Sequence, residues 1–157
     1  MLSTRTEQAA GGRETSASQE DYIVGKHVYG NLYGISREVA LDHDFLVETM
    51  KKAAELSNAT IIEVRSWVIP GKKGGVSVII LVDESHLALH TWSEYNYATL
   101  DVYTCGEHTD PLKGFRYVVE KLKPRDYTMH YVIRDSRREH DTTQTPRPAP
   151  NTGLKGS

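Results

Sequence analysis

Three β-rich runs follow one another between Val76 and Cys105 with almost no chain between them. Val76 to Val82 is nearly continuous apolar sequence, while His86 to Trp92 and Tyr97 to Cys105 alternate. The link Ser93-Glu94-Tyr95-Asn96 has hairpin length. Consecutive strands joined by such short turns pair antiparallel. An antiparallel sheet is therefore the frame that any fold of this chain must contain.

The flanking sequence supplies the rest of the frame. Tyr22 to Tyr33 mixes β-branched and aromatic residues with Gly and reads as a strand, as does Thr60 to Ile69. Asp42 caps a helix in which Phe45, Leu46, Thr49, Met50, Ala53 and Leu56 fall on one face, and Asn58 stops it. Asp110-Pro111 opens a second helix, with Leu112, Phe115, Val119 and Leu122 as its stripe and Lys123-Pro124 as its end. Tyr127 to Ile133 is a last strand. The order β-α-β-β-β-β-α-β describes an α+β fold, an antiparallel β-sheet with two helices on one face. Apolar residues lie on both sides of the Val78 to Val82 run, so the open face is expected to pack on a second copy in a symmetric dimer.

Composition bounds the rest. At 157 residues there is room for one domain. Residues 1–21 and 135–157 are polar, and the latter is Pro-rich, so both are expected to be disordered tails around a domain at residues 22–134. Lys+Arg 19 against Asp+Glu 21 leaves no basic excess for nucleic acid. The longest apolar run, Val78 to Val82, is far short of a membrane span, and the N-terminus has no apolar core of a secretory signal. A single cysteine excludes an intramolecular disulfide and fits a reducing, cytoplasmic setting.

Chemistry-bearing side chains concentrate between Ser77 and Gly106. Strand parity puts Leu87, Leu89, Leu100 and Val102 on the core face. His86, His90 and Trp92 then share the opposite face with Thr99, Asp101, Tyr103 and Cys105. Each residue also has a plain reading. Lone cysteines mostly fill cores, strand histidines mostly make structural hydrogen bonds, and a turn carboxylate such as Glu94 is mostly solvated. His86 and His90 are spaced like metal ligands, but four residues along a strand span about 13 Å, so no metal site is expected. Fold alone would also permit a non-catalytic dimer that binds a small molecule. That reading leaves the spacing of serine, histidine and cysteine unexplained.

Taken together, GKHVYGNLY (Gly25 to Tyr33), GGVSVIILVDESHLALHTW (Gly74 to Trp92) and ATLDVYTCGEHTDP (Ala98 to Pro111) resemble the prokaryotic S-adenosylmethionine decarboxylase proenzymes across the whole folded region. The resemblance implies a chain that cuts itself between Glu84 and Ser85. The Ser85 hydroxyl would attack the preceding carbonyl, elimination from the resulting ester would leave dehydroalanine, and its hydrolysis with loss of ammonia would leave a covalent pyruvoyl group at position 85. Its ketone would form a Schiff base with a substrate amine and accept electrons as carbon dioxide leaves. By the same resemblance Ser77 serves processing and His90 is the proton acceptor in it. Cys105 is the proton donor in decarboxylation, and Glu94 contacts substrate, with Trp92 and Asp101 as further substrate-side residues. Lys26 and His27 match a family motif without an assigned role.

The departures from the common pattern bear on the substrate. The loop before Ser77 reads PGKKGGVSV without the usual aromatic residue, Trp67 lies earlier, and Ser93 replaces a proline. KKGGVSV and EYNYATLDVYTCG look more like the crenarchaeal arginine decarboxylase branch. This favours arginine, with S-adenosylmethionine as the alternative; either product feeds polyamine synthesis. A guanidinium wants a planar carboxylate, and Asp83, Glu94 and Asp101 are the candidates.

Overall fold

The computed structural model describes residues 21–143. Seven strands form one antiparallel sheet, and three helices cover one face of it. In chain order these are β1 (Val24–Tyr33), α1 (Arg37–Leu41), α2 (His43–Leu56), β2 (Ile61–Ile69), β3 (Gly75–Val82), β4 (Ser85–Trp92), β5 (Tyr97–Cys105), α3 (Pro111–Leu122), β6 (Asp126–Tyr127) and β7 (His130–Asp135). The sheet order is β2-β3-β4-β5-β1, with β6 and β7 both pairing the outer side of β1. Consecutive strands β2 to β5 are neighbours, as their short links require. Among the described residues no helix is long and apolar enough to cross a membrane.

Local chemistry explains the helix ends. Asp42 accepts the Phe45 N–H at 3.2 Å, and Asp110 accepts those of Leu112 and Lys113, with Pro111 at the first helical position. Lys123 closes α3 in a left-handed conformation (φ 50°) just before Pro124. The core is one layer between helices and sheet. Val28, Leu32, Val78, Ile80, Leu87, Leu89, Leu100 and Val102 meet Leu46, Met50, Ala53, Phe115 and Leu122, all at most 1% exposed. Gly114 lets the two long helices touch, since a Cβ there would lie 2.1 Å from Ser57 Oγ.

Several details depart from the expected elements. The short helix α1 has too few residues to show a period; it is capped by Ser36 and tied to the sheet where Thr91 Oγ1 donates to Ala40 O at 2.7 Å. Leu56 is exposed, and Val118 rather than Val119 is the buried centre of α3. The last strand is split into β6 and β7 around Thr128, whose N–H bonds Asn31 O at 2.9 Å. Strand β7 runs to Asp135, and the chain beyond the expected boundary at 134 is described through Thr143. Arg137 forks onto both oxygens of Asp135 and stacks 3.6 Å over the Tyr22 ring, holding this segment against the start of β1. The remainder of the two expected tails lies outside the described residues.

Candidate active site

The turn between β3 and β4 is Asp83-Glu84, so the expected cleavage point sits at the tip of a tight hairpin. Ser85, the first residue of β4, has φ 147°, a backbone region that suits glycine and strains a residue with a Cβ. The carbonyl before it is held from β5. Glu84 O accepts the Cys105 backbone N–H at 3.0 Å and the Cys105 thiol at 3.1 Å. Cys105 is half-buried. Two donors thus converge on the oxygen that would carry negative charge if a nucleophile added to this carbonyl.

The Glu84 side chain is anchored as well. It is 8% exposed; its carboxylate accepts the Thr60 N–H at 2.9 Å and bonds His108 Nε2 at 3.0 Å. Burial pushes this carboxyl up, but His108 and the backbone N–H groups outweigh burial and hold it below its ordinary value. Beside it, a cleft of about 650 Å³ is lined by Tyr22, Val24, Lys26, Cys105, Glu107 and His108. Lys26 Nζ donates to Thr109 O at 2.6 Å, tying β1 to the loop before α3. His108, Thr60 and the Tyr22 wall were not singled out from the sequence. The only signal for His108 was its place in the GEHTDP segment, where it reads as an ordinary loop residue. A larger cavity of about 970 Å³ lies on the helix side, around Gly34 to Val39 and Glu120 to Arg125, away from Ser85.

The opposite face of the sheet carries the other named residues in rows. Strand register aligns Trp67, Ser77, His90, Thr99 and Asn31 in one row, and Arg65, Ile79, Ala88, Asp101 and Tyr29 in the next. Ser77 Oγ and His90 Nδ1 are 2.7 Å apart. Trp92 stacks on Tyr97, and Tyr97 on Tyr33. Asp101 pairs with His27 Nε2 at 2.9 Å, and Glu94 with Arg37 Nε at 2.9 Å. Asp83 is exposed in the turn. Burial, then the nearby His27, push the His86 imidazole below its ordinary value; Asp101 opposes this and Arg134 adds to it.

Sharing a face is not meeting at a point. Cys105 and Glu84 meet at Ser85. The Ser77–His90 pair stands five residues along β4 from Ser85, about 16 Å at the rise of a strand. Within one chain the candidate residues therefore form two separate groups. His86 and His90 are likewise two rows apart.

Comparison with known proteins shows which family the chain resembles. The sequence pattern of the S-adenosylmethionine decarboxylase family matches residues 26–135. The arginine decarboxylase proenzyme of Aeropyrum pernix is 64% identical over 116 residues, 74% of this chain and 88% of that protein. The proteins of the same name from Hyperthermus butylicus and Ignicoccus hospitalis are 52% identical over 126 residues and 54% over 117. They cover 80% and 74% of this chain, and 87% and 81% of their own lengths. Among solved structures, the adenosylmethionine decarboxylase of Aquifex aeolicus matches with a TM-score of 0.61 at 24% identity, over 82% of this chain and 98% of its own. At that identity the likeness speaks for the fold.

Proposed function

We build our proposal on one premise: this chain belongs to the S-adenosylmethionine decarboxylase family. We propose that it is a self-cleaving, pyruvoyl-dependent decarboxylase that converts arginine to agmatine and carbon dioxide. The observation that carries the reading is the Glu84 carbonyl, pinned by two donors from Cys105 beside a strained Ser85.

The residues fit that chemistry. Ser85 Oγ adds to the Glu84 carbonyl carbon, and the Glu84–Ser85 C–N bond breaks as the proton passes to the nitrogen. The Cys105 N–H and thiol bind the carbonyl oxygen as charge grows on it. Strain at Ser85 is relieved as the peptide bond is lost, which favours the forward step. Thr60 and His108 grip the Glu84 side chain and so keep the acyl half in place. The pyruvoyl ketone left at position 85 supplies the electron sink for loss of carbon dioxide from an amine-bearing substrate. Cys105, beside that position, returns a proton to the substrate α-carbon.

His90, oriented by Ser77, takes the proton that leaves the Ser85 Cα during elimination. Because His90 stands far along β4 from Ser85 of its own chain, our reading gives this role to the His90 of a second copy. A symmetric dimer packed open face to open face brings each Ser77–His90 pair onto the other chain's cleavage site. The exposed Trp67, Ile69 and Leu81 and the Trp92–Tyr97–Tyr33 stack are the surface such a partner would cover. In this arrangement Trp92 and Glu94 line the composite site. Co-expression tests it: Ser85→Ala and His90→Ala chains each stay whole alone, and together the His90→Ala chain is cut. If that chain stays whole in the mixed dimer, the shared site fails.

Arginine is preferred to S-adenosylmethionine because the relatives at 52% to 64% identity bear the former name. Of the three carboxylates named from the sequence, Glu94 and Asp101 already have partners, so Asp83→Asn is the first variant to test for a raised KM. Carbon dioxide release from carboxyl-labelled arginine and S-adenosylmethionine, run side by side, decides the substrate. Release from S-adenosylmethionine alone would overturn the assignment.

A further inference from the structure

Directly opposite Ser85, on the neighbouring strand β5, lies Thr104, which is fully buried. Its hydroxyl has no hydrogen-bond partner among the described residues, and it is the one buried side-chain polar atom there in that condition. A hydroxyl buried without a partner is costly, and native structures seldom leave one so without a use for it. The family chemistry described above does not use Thr104.

The register says what this hydroxyl faces. Ser85 and Thr104 are opposed residues of β4 and β5, so regular pairing would put both side chains on the same side of the sheet. The bond from Cys105 N–H to Glu84 O flanks this pair and makes it a non-hydrogen-bonded one, the closer kind, with Cα atoms about 4.5 Å apart. On its other side Thr104 is opposed by Lys26, whose ammonium is taken up by Thr109 O. The unpaired hydroxyl and the strained serine are thus cross-strand neighbours, and Cys105 holds the target carbonyl from the adjacent position.

We propose that Thr104 orients Ser85 for self-cleavage: when the Ser85 side chain turns to attack, its hydroxyl donates to the unpartnered Thr104 Oγ1, which leaves the Ser85 Oγ lone pair facing the Glu84 carbonyl carbon. As the Oγ–C bond forms and the C–N bond breaks, the serine proton ends on the departing nitrogen. Thr104 loses and gains nothing in the step. Its own proton is then available to the ester so formed. The inference rests on the proposed self-cleaving function and adds a residue to it.

Thr104→Val keeps the shape and removes the hydroxyl; Thr104→Ser keeps the hydroxyl. The full-length proenzyme of each is followed by intact mass from synthesis onward, and its thermal midpoint is measured beside the uncut Ser85→Ala chain. Thr104→Val cuts roughly ten-fold slower or worse than wild type, as expected for a misaligned nucleophile. Thr104→Ser stays within about two-fold of wild type, because its hydroxyl still reaches Ser85. Placed in the uncut Ser85→Ala background, Thr104→Val melts no lower than that chain alone, since the resting Thr104 hydroxyl makes no hydrogen bond that valine would lose. A packing role would instead lower stability and cutting together. Should valine fail to fold, Thr104→Ala against Thr104→Ser makes the same comparison. The inference is overturned if the hydroxyl-free chains cut at the wild-type rate, or if Thr104→Ser is as slow as they are. In either case a wild type that still cuts leaves the proposed function standing, whereas a wild type that stays whole overturns both.

Discussion

Replacing Cys105 by alanine separates the two tasks assigned to that residue. In the uncut chain Glu84 O has two donors from position 105, the backbone N–H at 3.0 Å and the thiol at 3.1 Å. Alanine keeps the first and deletes the second. Loss of a full oxyanion donor elsewhere costs about 10²- to 10³-fold in rate, near 3 to 4 kcal/mol of transition-state stabilisation. A thiol is a weaker donor than an amide, and the backbone N–H remains, so the expected loss is smaller. It should be about 1.4 to 2.7 kcal/mol, or ten- to a hundred-fold slower self-cleavage. Cys105→Ser restores a donor on a shorter arm and should recover part of that rate. The assay is a time course of intact mass on freshly made proenzyme, with decarboxylation then measured on whatever fraction is cut. The cut alanine enzyme should release carbon dioxide far more slowly per site than wild type, because the acid is gone. Wild-type cleavage kinetics in Cys105→Ala would refute the claim that the thiol helps to polarise the Glu84 carbonyl.

Other expectations follow from the same geometry. Ser85→Gly should remain uncut and be more stable than the equally uncut Ser85→Ala by about 1 to 2 kcal/mol in urea unfolding, because glycine accepts φ 147° without strain. The Glu84 carboxyl is held below its ordinary value of 4.5, so its contribution to stability is complete above that pH and is lost as pH falls through the lowered folded value. His108→Ala should therefore make acid unfolding, followed by circular dichroism, begin at a higher pH; an unchanged acid limb would count against the anchor. Gly30→Ala should yield little soluble protein in an expression trial, since a Cβ there would lie 1.8 Å from Thr128 O, a backbone atom that cannot swing aside.

Much of the frame was legible because period and capping are local. The alternation of β4 and β5 placed Leu87, Leu89, Leu100 and Val102 in the core, and Asp42 and Asp110 marked the two long helices. Helix α1 was not legible, because five residues carry no period and its tie to Thr91 spans 51 positions. Nor was the split around Thr128, which depends on its bond to Asn31. At the site, the family resemblance named Ser77, Ser85, His90 and Cys105 but carried no distance between them. Parity tells which face a side chain takes; only register tells how far along the sheet it stands, and register put the Ser77–His90 pair at the far end of β4. Thr104 escaped notice because a threonine in a strand looks ordinary until its hydroxyl is seen to be buried without a partner.

An intact-mass spectrum of purified full-length protein bears on all of this at once. The reading expects two chains held in one fold, Met1–Glu84 and a second derived from residues 85–157. The second should be about 17 Da lighter than the same chain beginning with serine, the difference between a serine amine terminus and a pyruvoyl ketone. A single species at 17.7 kDa, with an ordinary serine joined to Glu84, would contradict it.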